Sequence, residues 1–302
     1  MVLEMGMNHL GEISLLSNIA KPNVCIITNI GTSHIGNLGS RENILKAKLE
    51  ILEGADRPTI IINNDNDLLH KWQEENDKKN IITYAIHETS NIMAHQITLQ
   101  ENASEFTCEI YKEKVKIKVP VGGEHFVLNS LCAISVGELL EIETNQIKKG
   151  IEEFELTKKR MDITELDNGI KIINDAYNAS LESMQASLQY LSKLNNSRKI
   201  AVLGDMLELG DYTRELHEKI GEEVYQNKID ILMCSGENAK DIAKRAKVLG
   251  MSAENIYYFA TKEELESTLK KVAKPGDAIL LKASNGMKFF DIAEHLKKDI
   301  MV

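Results

Sequence analysis

The stretch "NVCIITNIGTSHIGNLGSRENILKAKLEIL", residues 23–52, predicts the fold of the chain. Its first eight residues are mostly apolar and partly β-branched, which is typical of a buried strand, and residues 41–52 have helical spacing. The same order recurs in "PTIIIN" (58–63), a helical segment at 66–77 and "NIITYAI" (80–86). Strands that alternate with helices predict an α/β fold with a largely parallel sheet.

The pattern changes in residues 91–119, where polar and apolar residues alternate with period two between turn-forming residues. This alternation predicts a small antiparallel sheet. A Gly-rich turn and an apolar helix follow, and a second helix is expected to begin near Thr144. The charged stretch 155–164 is interpreted as a linker. We therefore predict a central domain over residues 1–158 and a C-terminal domain over residues 159–302.

The C-terminal domain repeats the alternation of strands and helices. After the strand "IKII" come "KIAVLGDM", "IDILMCSG", "NIYYFA" and "DAILLKAS", each followed by a helical segment. Right-handed crossovers between parallel strands make this a Rossmann-like sheet. Its ligand-binding edge is then expected at the loops that follow the carboxyl ends of the strands.

Composition is that of a soluble globular protein, with 43% apolar and 27% charged residues among 302. The net charge of −10 argues against general nucleic-acid binding, which requires a dense basic surface. No apolar run is long enough for a spanning helix, so no membrane partner and a cytoplasmic location are expected. The four scattered cysteines lack metal-binding spacing and are expected to be buried free thiols.

Several polar residues lie where the ligand-facing edges are predicted. Glu4 ends a predicted opening strand, "VLEM", His34 follows the strand at 23–30, and Lys48 lies in the next helix. Asp175 and Asn178 follow "IKII". Taken one at a time, each is explained as well by a solvated charge or a simple turn.

The order of the motifs points to a family. "VLEMGMNHLGEI", "TNIGTSHIGNLGSRENILKAKLEI", "GEHFVLNSLCA", "KKRMD", "DAYNAS" and "AVLGDMLELG" resemble the Mur ligase family over essentially the whole chain. "LGDMLELG" and "YNAS" favour members that add D-alanyl-D-alanine to UDP-N-acetylmuramoyl-tripeptide over members that add single amino acids. The resemblance implies an ATP-dependent amide-bond ligase that acts through an acyl phosphate in peptidoglycan synthesis. Folylpolyglutamate synthase shares this architecture and is an alternative.

The resemblance also implies a magnesium site. It assigns Glu4 and His34 as ligands, together with Lys48 after its reaction with carbon dioxide to form a carbamate. An unmodified lysine is a cation below a pKa of about 10.4 and would repel a metal, whereas a carbamate offers the oxygen ligands that Mg²⁺ prefers. A surface ion pair of Lys48 with Glu42 or Glu50 is the alternative.

Further resemblances concern the nucleotide. Asn129 matches a residue that contacts adenine, although Phe126 replaces another usual asparagine, and helix capping or core packing is the alternative. Arg160 in "KKRMD" matches an arginine near the ATP phosphates and is assigned to catalysis with Lys48 and His34. A solvated linker charge is the alternative for Arg160.

Asp175 and Asn178 match a nucleotide-contacting hinge motif, although Leu181 stands where proline is usual. A plain turn remains open for both. The dipeptide pocket is assigned to residues in "LGDMLELG" and "LKASNGMKF", each of which a strand-end turn explains equally well. These are Asp205, Glu208, Lys282, Ser284 and Asn285.

One expected motif is missing from the 302 residues. Because no Gly-Lys dipeptide occurs, there is no GxxxxGK[ST] loop of the kind that cradles ATP phosphates. We therefore expect a chain without the amino-terminal domain of the family, with little or no activity alone. An exposed edge of the central sheet is expected to pair with another chain. A non-catalytic binding or assembly module is the alternative to a ligase.

Overall fold

The quoted stretch forms a strand, a loop and a helix, as predicted, in a computed structural model that describes residues 1–76, 80–156 and 160–299. The chain divides into two units, Met1–Glu155 and Leu156–Val302. The predicted division between residues 158 and 159 falls outside the described residues and stays a prediction.

The main sheet of the first unit is parallel and has the order β1-β2-β3-β4. Its strands are β1 (Val24–Ile27), β2 (Thr59–Asn63), β3 (Ile81–Ala85) and β4 (Ile92–Met93). The helices are α1 (Glu12–Ala20), α2 (Ile35–Leu38), α3 (Arg41–Leu49), α4 (Asp67–Glu74), α5 (Glu124–Leu139) and α6 (Thr144–Glu152). Ile60, Ile61 and Ile62 of β2 are all buried. Burial of consecutive residues shows that both faces of this strand are covered, as parallel sheets require.

The predicted antiparallel sheet is confirmed as β5 (His95–Leu99), β6 (Ser104–Ile110) and β7 (Glu113–Val119). One part of the prediction was wrong, because Ile92 and Met93 pair with β3 in the parallel sheet. Ile92 is buried there. The period-two pattern therefore begins at β5, and α5 packs against β2, β3 and β6.

The predicted opening strand "VLEM" is wrong. Residues 1–7 have no regular secondary structure, and Val2 and Leu3 are exposed. A strand needs a neighbour that satisfies its backbone N–H and C=O groups. Among the described strands, β1 pairs with β2 alone and lies at the edge of its sheet.

Helix α1 packs against α3 and a 3₁₀ turn at Glu50–Leu52. Helix α1 and the residues just after this turn come very close, since a Cβ built on Gly54 would lie 2.1 Å from the backbone oxygen of Ser17. The outer face of α1 exposes Leu15, Leu16 and Ile19. Contiguous apolar exposure of this kind is typical of a surface that another polypeptide covers.

The second unit contains a sheet of order β12-β11-β10-β13-β9-β8. Its strands are β8 (Asp162–Glu165), β9 (Lys171–Asn174), β10 (Lys199–Leu203), β11 (Ile231–Ser235), β12 (Ile256–Phe259) and β13 (Ala278–Lys282). The helices are α7 (Leu181–Ser192), α8 (Thr213–Gln226), α9 (Ala239–Leu249), α10 (Lys262–Val272) and α11 (Phe290–Asp299). The predicted alternation of strands and helices is confirmed.

Strand β8 corrects the interpretation of residues 155–164 as a linker. Residues 162–165 pair antiparallel with β9, with Ile163 opposite Ile173. The flanking charges Asp162 and Glu165 hide this short strand in the sequence, although charged residues are usual on edge strands.

The four cysteines, Cys25, Cys108, Cys132 and Cys234, are buried free thiols, as predicted. Burial raises the pKa of the Cys25 and Cys132 thiols to about 11 each and that of Cys108 to about 12. Within the described ranges, the helices are all too short or too polar to cross a membrane.

Candidate functional site

The loop after β1 brings two of the predicted metal-site residues to one region of the first unit. His34 has a left-handed backbone, with φ at 63°, and immediately precedes α2. Ser40 caps α3 by accepting a hydrogen bond from the Asn43 N–H. Lys48, near the end of this helix, donates from Nζ to the backbone oxygen of Asn29 at 2.6 Å. The lysine therefore contacts the same loop that carries His34.

The alternative partners of Lys48 have other contacts. Both carboxylate oxygens of Glu50 accept the Gly11 N–H, at 2.8 and 2.9 Å, and one also accepts the Ser14 N–H. Glu50 is buried and holds the start of α1. Hydrogen bonds from its own backbone N–H and from Ser40 lower the pKa of Glu42. These contacts weigh against a simple Lys48 ion pair with either glutamate.

Glu4 is exposed and forms no hydrogen bond or ion pair with another described residue. Across the described residues, no group of three His, Cys, Asp or Glu side chains could hold a metal ion. The predicted magnesium set is not such a group, because its third ligand is a lysine carbamate. The placement of Lys48 against the loop that carries His34 fits two of the three predicted donors.

Sequence reasoning missed a set of contacts that holds the loop after β1. Asn66, the N-cap of α4, donates from Nδ2 to Asn29 Oδ1 at 2.9 Å and to the Ile30 backbone oxygen at 3.2 Å. Arg41 also donates to the Ile30 oxygen, and its guanidinium pairs with Asp67. Because β1 and β2 are neighbouring parallel strands, the residues after their carboxyl ends meet at one edge of the sheet.

Asn129 is exposed on α5, well inside a helix whose N-cap is Gly123. Neither helix capping nor core packing therefore accounts for it. Phe126 is buried, and its ring packs against those of His125 and Phe154. The prediction that Asn129 contacts a nucleotide stays open.

In the second unit, a buried lysine joins two of the predicted motifs. The Lys282 side chain is 3% exposed, and its ammonium group donates to Asp175 Oδ2 at 2.6 Å. It also donates to the backbone oxygens of Asp175 and Asn178, at 3.3 and 3.1 Å. An ammonium group has three hydrogens, so these three contacts use its full donor capacity. Lys282 thus holds residues 175–180, called the hinge loop below, in place.

The carboxylate of Asp175 has further partners. Its Oδ2 accepts the Ser187 hydroxyl at 2.6 Å, and its Oδ1 accepts the Met161 N–H at 3.1 Å. Met161 has a left-handed backbone, with φ at 46°. A non-glycine residue in this conformation costs about 1–2 kcal/mol, which the hydrogen bond to Asp175 offsets.

Arg160 and Asn285 reach the same hinge loop through Tyr177. The guanidinium of Arg160 stacks over the Tyr177 ring at 4.3 Å from its centroid. Asn285 donates from Nδ2 to the Tyr177 backbone oxygen at 2.9 Å. Residues from three distant parts of the sequence therefore meet around one loop: Arg160, Asp175, Asn178, Lys282 and Asn285.

The loop "LGDMLELG" is held by residues at its own strand ends. Asp205 Oδ1 accepts the N–H groups of Asn238 and Ala239 at the start of α9. The Ser284 backbone N–H donates to the backbone oxygen of Asp205, and the Ser284 hydroxyl accepts the Leu207 N–H. Asp205 and Ser284 thus have structural roles in addition to any contact with substrate. Glu208 is exposed, with φ at 63°.

His217 also holds this loop, and sequence reasoning missed it. The fully buried ring accepts the Met206 N–H at Nε2, at 3.0 Å, and donates from Nδ1 to the Thr213 oxygen at 2.6 Å. This arrangement requires the neutral ring. Burial is the main cause that lowers the pKa of His217.

A groove of about 480 Å³ lies elsewhere on the second unit, between α10 and α11. Glu266, which lines it, accepts hydrogen bonds from Lys270 and His295. These contacts lower the pKa of Glu266. The central charges of this groove are therefore already paired with one another.

Two family models that together match most of the chain show that it belongs to the Mur ligase family. Residues 1–137 match the Mur ligase middle domain, and residues 159–285 match the glutamate ligase domain of Mur ligases. These matches confirm the family resemblance of the sequence motifs.

The chain is similar to proteins that carry one particular name within the family. The chain is 37% identical over 297 residues to the UDP-N-acetylmuramoyl-tripeptide--D-alanyl-D-alanine ligase of Bacillus subtilis, covering 98% of the chain and 64% of the relative. The crystal structure of MurF from Acinetobacter baumannii matches with a TM-score of 0.89 and 27% identity, covering 99% and 64%. MurF from Thermotoga maritima, in complex with ADP, shares the fold at 24% identity and a TM-score of 0.82, covering 96% and 65%. The chain thus spans less than two thirds of the length of these relatives.

Proposed function

We propose that the chain forms the central and C-terminal portions of an ATP-dependent ligase that joins D-alanyl-D-alanine to UDP-N-acetylmuramoyl-tripeptide in peptidoglycan synthesis. The B. subtilis relative carries this activity in its name. The observation that carries the proposal is the buried contact network around Asp175, which gathers the residues assigned to the nucleotide and the dipeptide.

In the proposed reaction, the terminal carboxylate of the tripeptide attacks the γ-phosphorus of ATP, and ADP leaves. The amine of D-alanyl-D-alanine then attacks the carbonyl carbon of the acyl phosphate. Phosphate leaves with the electron pair of the broken C–O bond, and the amine loses a proton to solvent. We assign Arg160 to balance charge on phosphate oxygens, because a guanidinium binds them with two parallel hydrogen bonds. We assign Asn129, Asp175 and Asn178 to the nucleotide.

The magnesium part of the proposal assigns Glu4, His34 and Lys48. The neutral Lys48 amine attacks carbon dioxide, a C–N bond forms, and a proton passes to solvent. When bound, magnesium supplies a positive charge that stabilises the oxygens of the transferred phosphoryl group. The contact between Lys48 and the Asn29 oxygen supports this assignment because it holds the lysine at the loop that carries His34.

The dipeptide pocket is assigned to Asp205, Glu208, Lys282, Ser284 and Asn285. Three of them, Asp205, Lys282 and Ser284, are buried and shape the pocket through internal hydrogen bonds. Glu208 and Asn285 are exposed. We therefore propose that these two contact the dipeptide directly.

Phosphate release with ATP, magnesium, the tripeptide substrate and D-alanyl-D-alanine tests the activity. Since the chain has no GxxxxGK[ST] loop, we expect little or no turnover by the 302 residues alone. Adding an amino-terminal fragment of the B. subtilis ligase should restore dipeptide-dependent release. Rapid turnover by the chain alone would overturn the first expectation.

Thermal stabilisation by ligands tests whether the chain is part of a D-alanyl-D-alanine-adding ligase or of a folylpolyglutamate synthase-like ligase. A ligand that binds only the folded state stabilises it, by about 2.7 kcal/mol at a hundredfold excess over Kd. D-alanyl-D-alanine should raise the melting temperature and glutamate should not. The opposite order would favour a folylpolyglutamate synthase-like ligase.

The exposed edge of the parallel sheet in the first unit is the basis for a proposal about a partner chain. Strand β1 lies at an edge among the described strands, and Leu15 and Ile19 of α1 are exposed nearby in sequence. We propose that the remaining portion of the ligase packs here. If the added fragment associates without restoring turnover, the chain is instead a non-catalytic binding module.

A further inference from the structure

We propose that Asn66 is a positioning residue for the magnesium half of the site, because it fixes the loop on which Lys48 and His34 depend. This role rests on the proposed function. Asn66 is not a ligand in that assignment, and its side chain contacts neither Lys48 nor His34 in the described contacts. It acts through Asn29, whose backbone oxygen accepts the hydrogen bond from Lys48.

The direction of the Asn66 amide follows from its three partners. The Leu69 N–H donates to Oδ1 at 3.1 Å, while Asn29 Oδ1 and the Ile30 oxygen accept from Nδ2. Rotating the amide by 180° would place two donors together at one end and oxygens together at the other. The two Nδ2 hydrogens match the two acceptors, so one buried side chain satisfies both halves of the contact.

Carbamylation keeps this contact available. A lysine carbamate retains one N–H on its nitrogen, which can still donate to the Asn29 oxygen while the new carboxylate faces the metal. The loop thus orients the carbamate, and Asn66 orients the loop. Arg41 gives the Ile30 oxygen a second donor, so loss of Asn66 should loosen the loop rather than unfold it.

Two substitutions separate positioning from helix capping. Serine caps helices as well as asparagine does, so Asn66→Ser should keep α4 intact while it removes both Nδ2 donors. Asn66→Ala removes the cap as well. We expect amide hydrogen exchange of residues 29–34 to rise about fivefold in both variants, the factor for one hydrogen bond of ordinary strength. Exchange in α4 should rise in Asn66→Ala alone.

The control is Asn80→Ser, which removes an amide donor to Thr59 in the same unit and should leave exchange in residues 29–34 unchanged. Carbon-13 NMR in labelled bicarbonate gives a second readout, since the Lys48 carbamate should fall about fivefold in Asn66→Ser.

The outcomes separate this inference from the proposed function. A wild-type chain that forms no carbamate would count against the magnesium assignment, while the exchange data would still decide the positioning role. Unchanged exchange at residues 29–34 in Asn66→Ser, or undiminished carbamate, would overturn that role.

Discussion

Lys48 is assigned to the proposed magnesium site and Lys282 to the proposed dipeptide pocket, and the surroundings of the two lysines differ. Lys48 is partly exposed on α3 and donates to the backbone oxygen of Asn29 in a loop. Lys282 is buried at the end of β13, and its three donors are all used by the hinge loop. A partly exposed amine can meet carbon dioxide and a metal, whereas an ammonium enclosed by its own chain serves mainly to hold neighbours in place. The comparison teaches that the same residue type is left accessible for a proposed reaction in the first unit and holds the structure together in the second.

The largest effect is expected for Lys282→Met, which tests the architectural side directly. Removing one partner of a buried ion pair leaves an unpaired charge, here on Asp175, and costs about 3–5 kcal/mol. Urea denaturation should show this loss. Lys48→Met is the matched control and should change the free energy of unfolding by less than about 1 kcal/mol. Equal losses in the two variants would remove the distinction between the lysines.

A smaller loss is expected for Gly236→Ala, which tests the support of the "LGDMLELG" loop. Gly236 has φ at 130°, and an added Cβ would lie 2.3 Å from Asp205 Oδ1. The backbone conformation alone should cost about 1–3 kcal/mol. Gly286→Ala is the control, since its Cβ would meet only Leu207 Cδ1, at 3.3 Å. The comparison of the two melting temperatures decides the prediction, which is wrong if Gly286→Ala is the less stable.

The pH dependence of the free energy of unfolding tests the contribution of buried His217 in the second unit. The pKa of His217 is lowered in the folded state from its ordinary value of 6.5. The unfolded state therefore takes up a proton first, so the stabilisation is complete above pH 6.5 and declines as the pH falls towards the folded pKa. The slope should reach at most about 1.4 kcal/mol per pH unit. The free energy of unfolding of His217→Gln should lack this pH dependence. The control His9→Gln, at an exposed histidine, should keep it.

The smallest effect is expected for Asp67→Asn, at the loop of the first unit. Arg41 lowers the pKa of Asp67, so the pair contributes above the ordinary Asp pKa of 3.8, and the contribution is lost as the pH falls through the folded pKa. Because the Asp67 side chain is 65% exposed, the loss at neutral pH should stay below about 1 kcal/mol and shrink in high salt. Glu218→Gln, which breaks a comparable exposed pair with Arg214, is the control. A loss as large as that of Lys282→Met would contradict the comparison.

Consecutive buried β-branched residues made some of the strands easy to predict. "PTIIIN" can bury Ile60–Ile62 only within a covered sheet, so composition alone was sufficient. Of the three errors, those at residues 2–5 and 162–165 concern segments whose state depends on a neighbour, and the third is at Ile92 and Met93, which join the parallel sheet. The first has no pairing strand among the described residues, whereas the second pairs with β9.

The site was predictable where the order of motifs resembles a family, and it was not predictable where a residue acts through tertiary contacts. Asn66 had a local signal, because it stands just before a helix, but its contact with Asn29 depends on the adjacency of β1 and β2. Ser187 and His217 look like ordinary helix residues in the sequence. Their roles arise only when α7 and α8 place them against Asp175 and Met206.

The close approach at Gly54 has a consequence for variation in this protein. Any side chain at that position would collide with the backbone of Ser17, which has no flexible end to move aside. A mutation to any other amino acid would have to displace α1, together with its exposed apolar face, from the segment that supports it. Position 54 therefore tolerates one amino acid, although it binds nothing and lies outside every motif of the site.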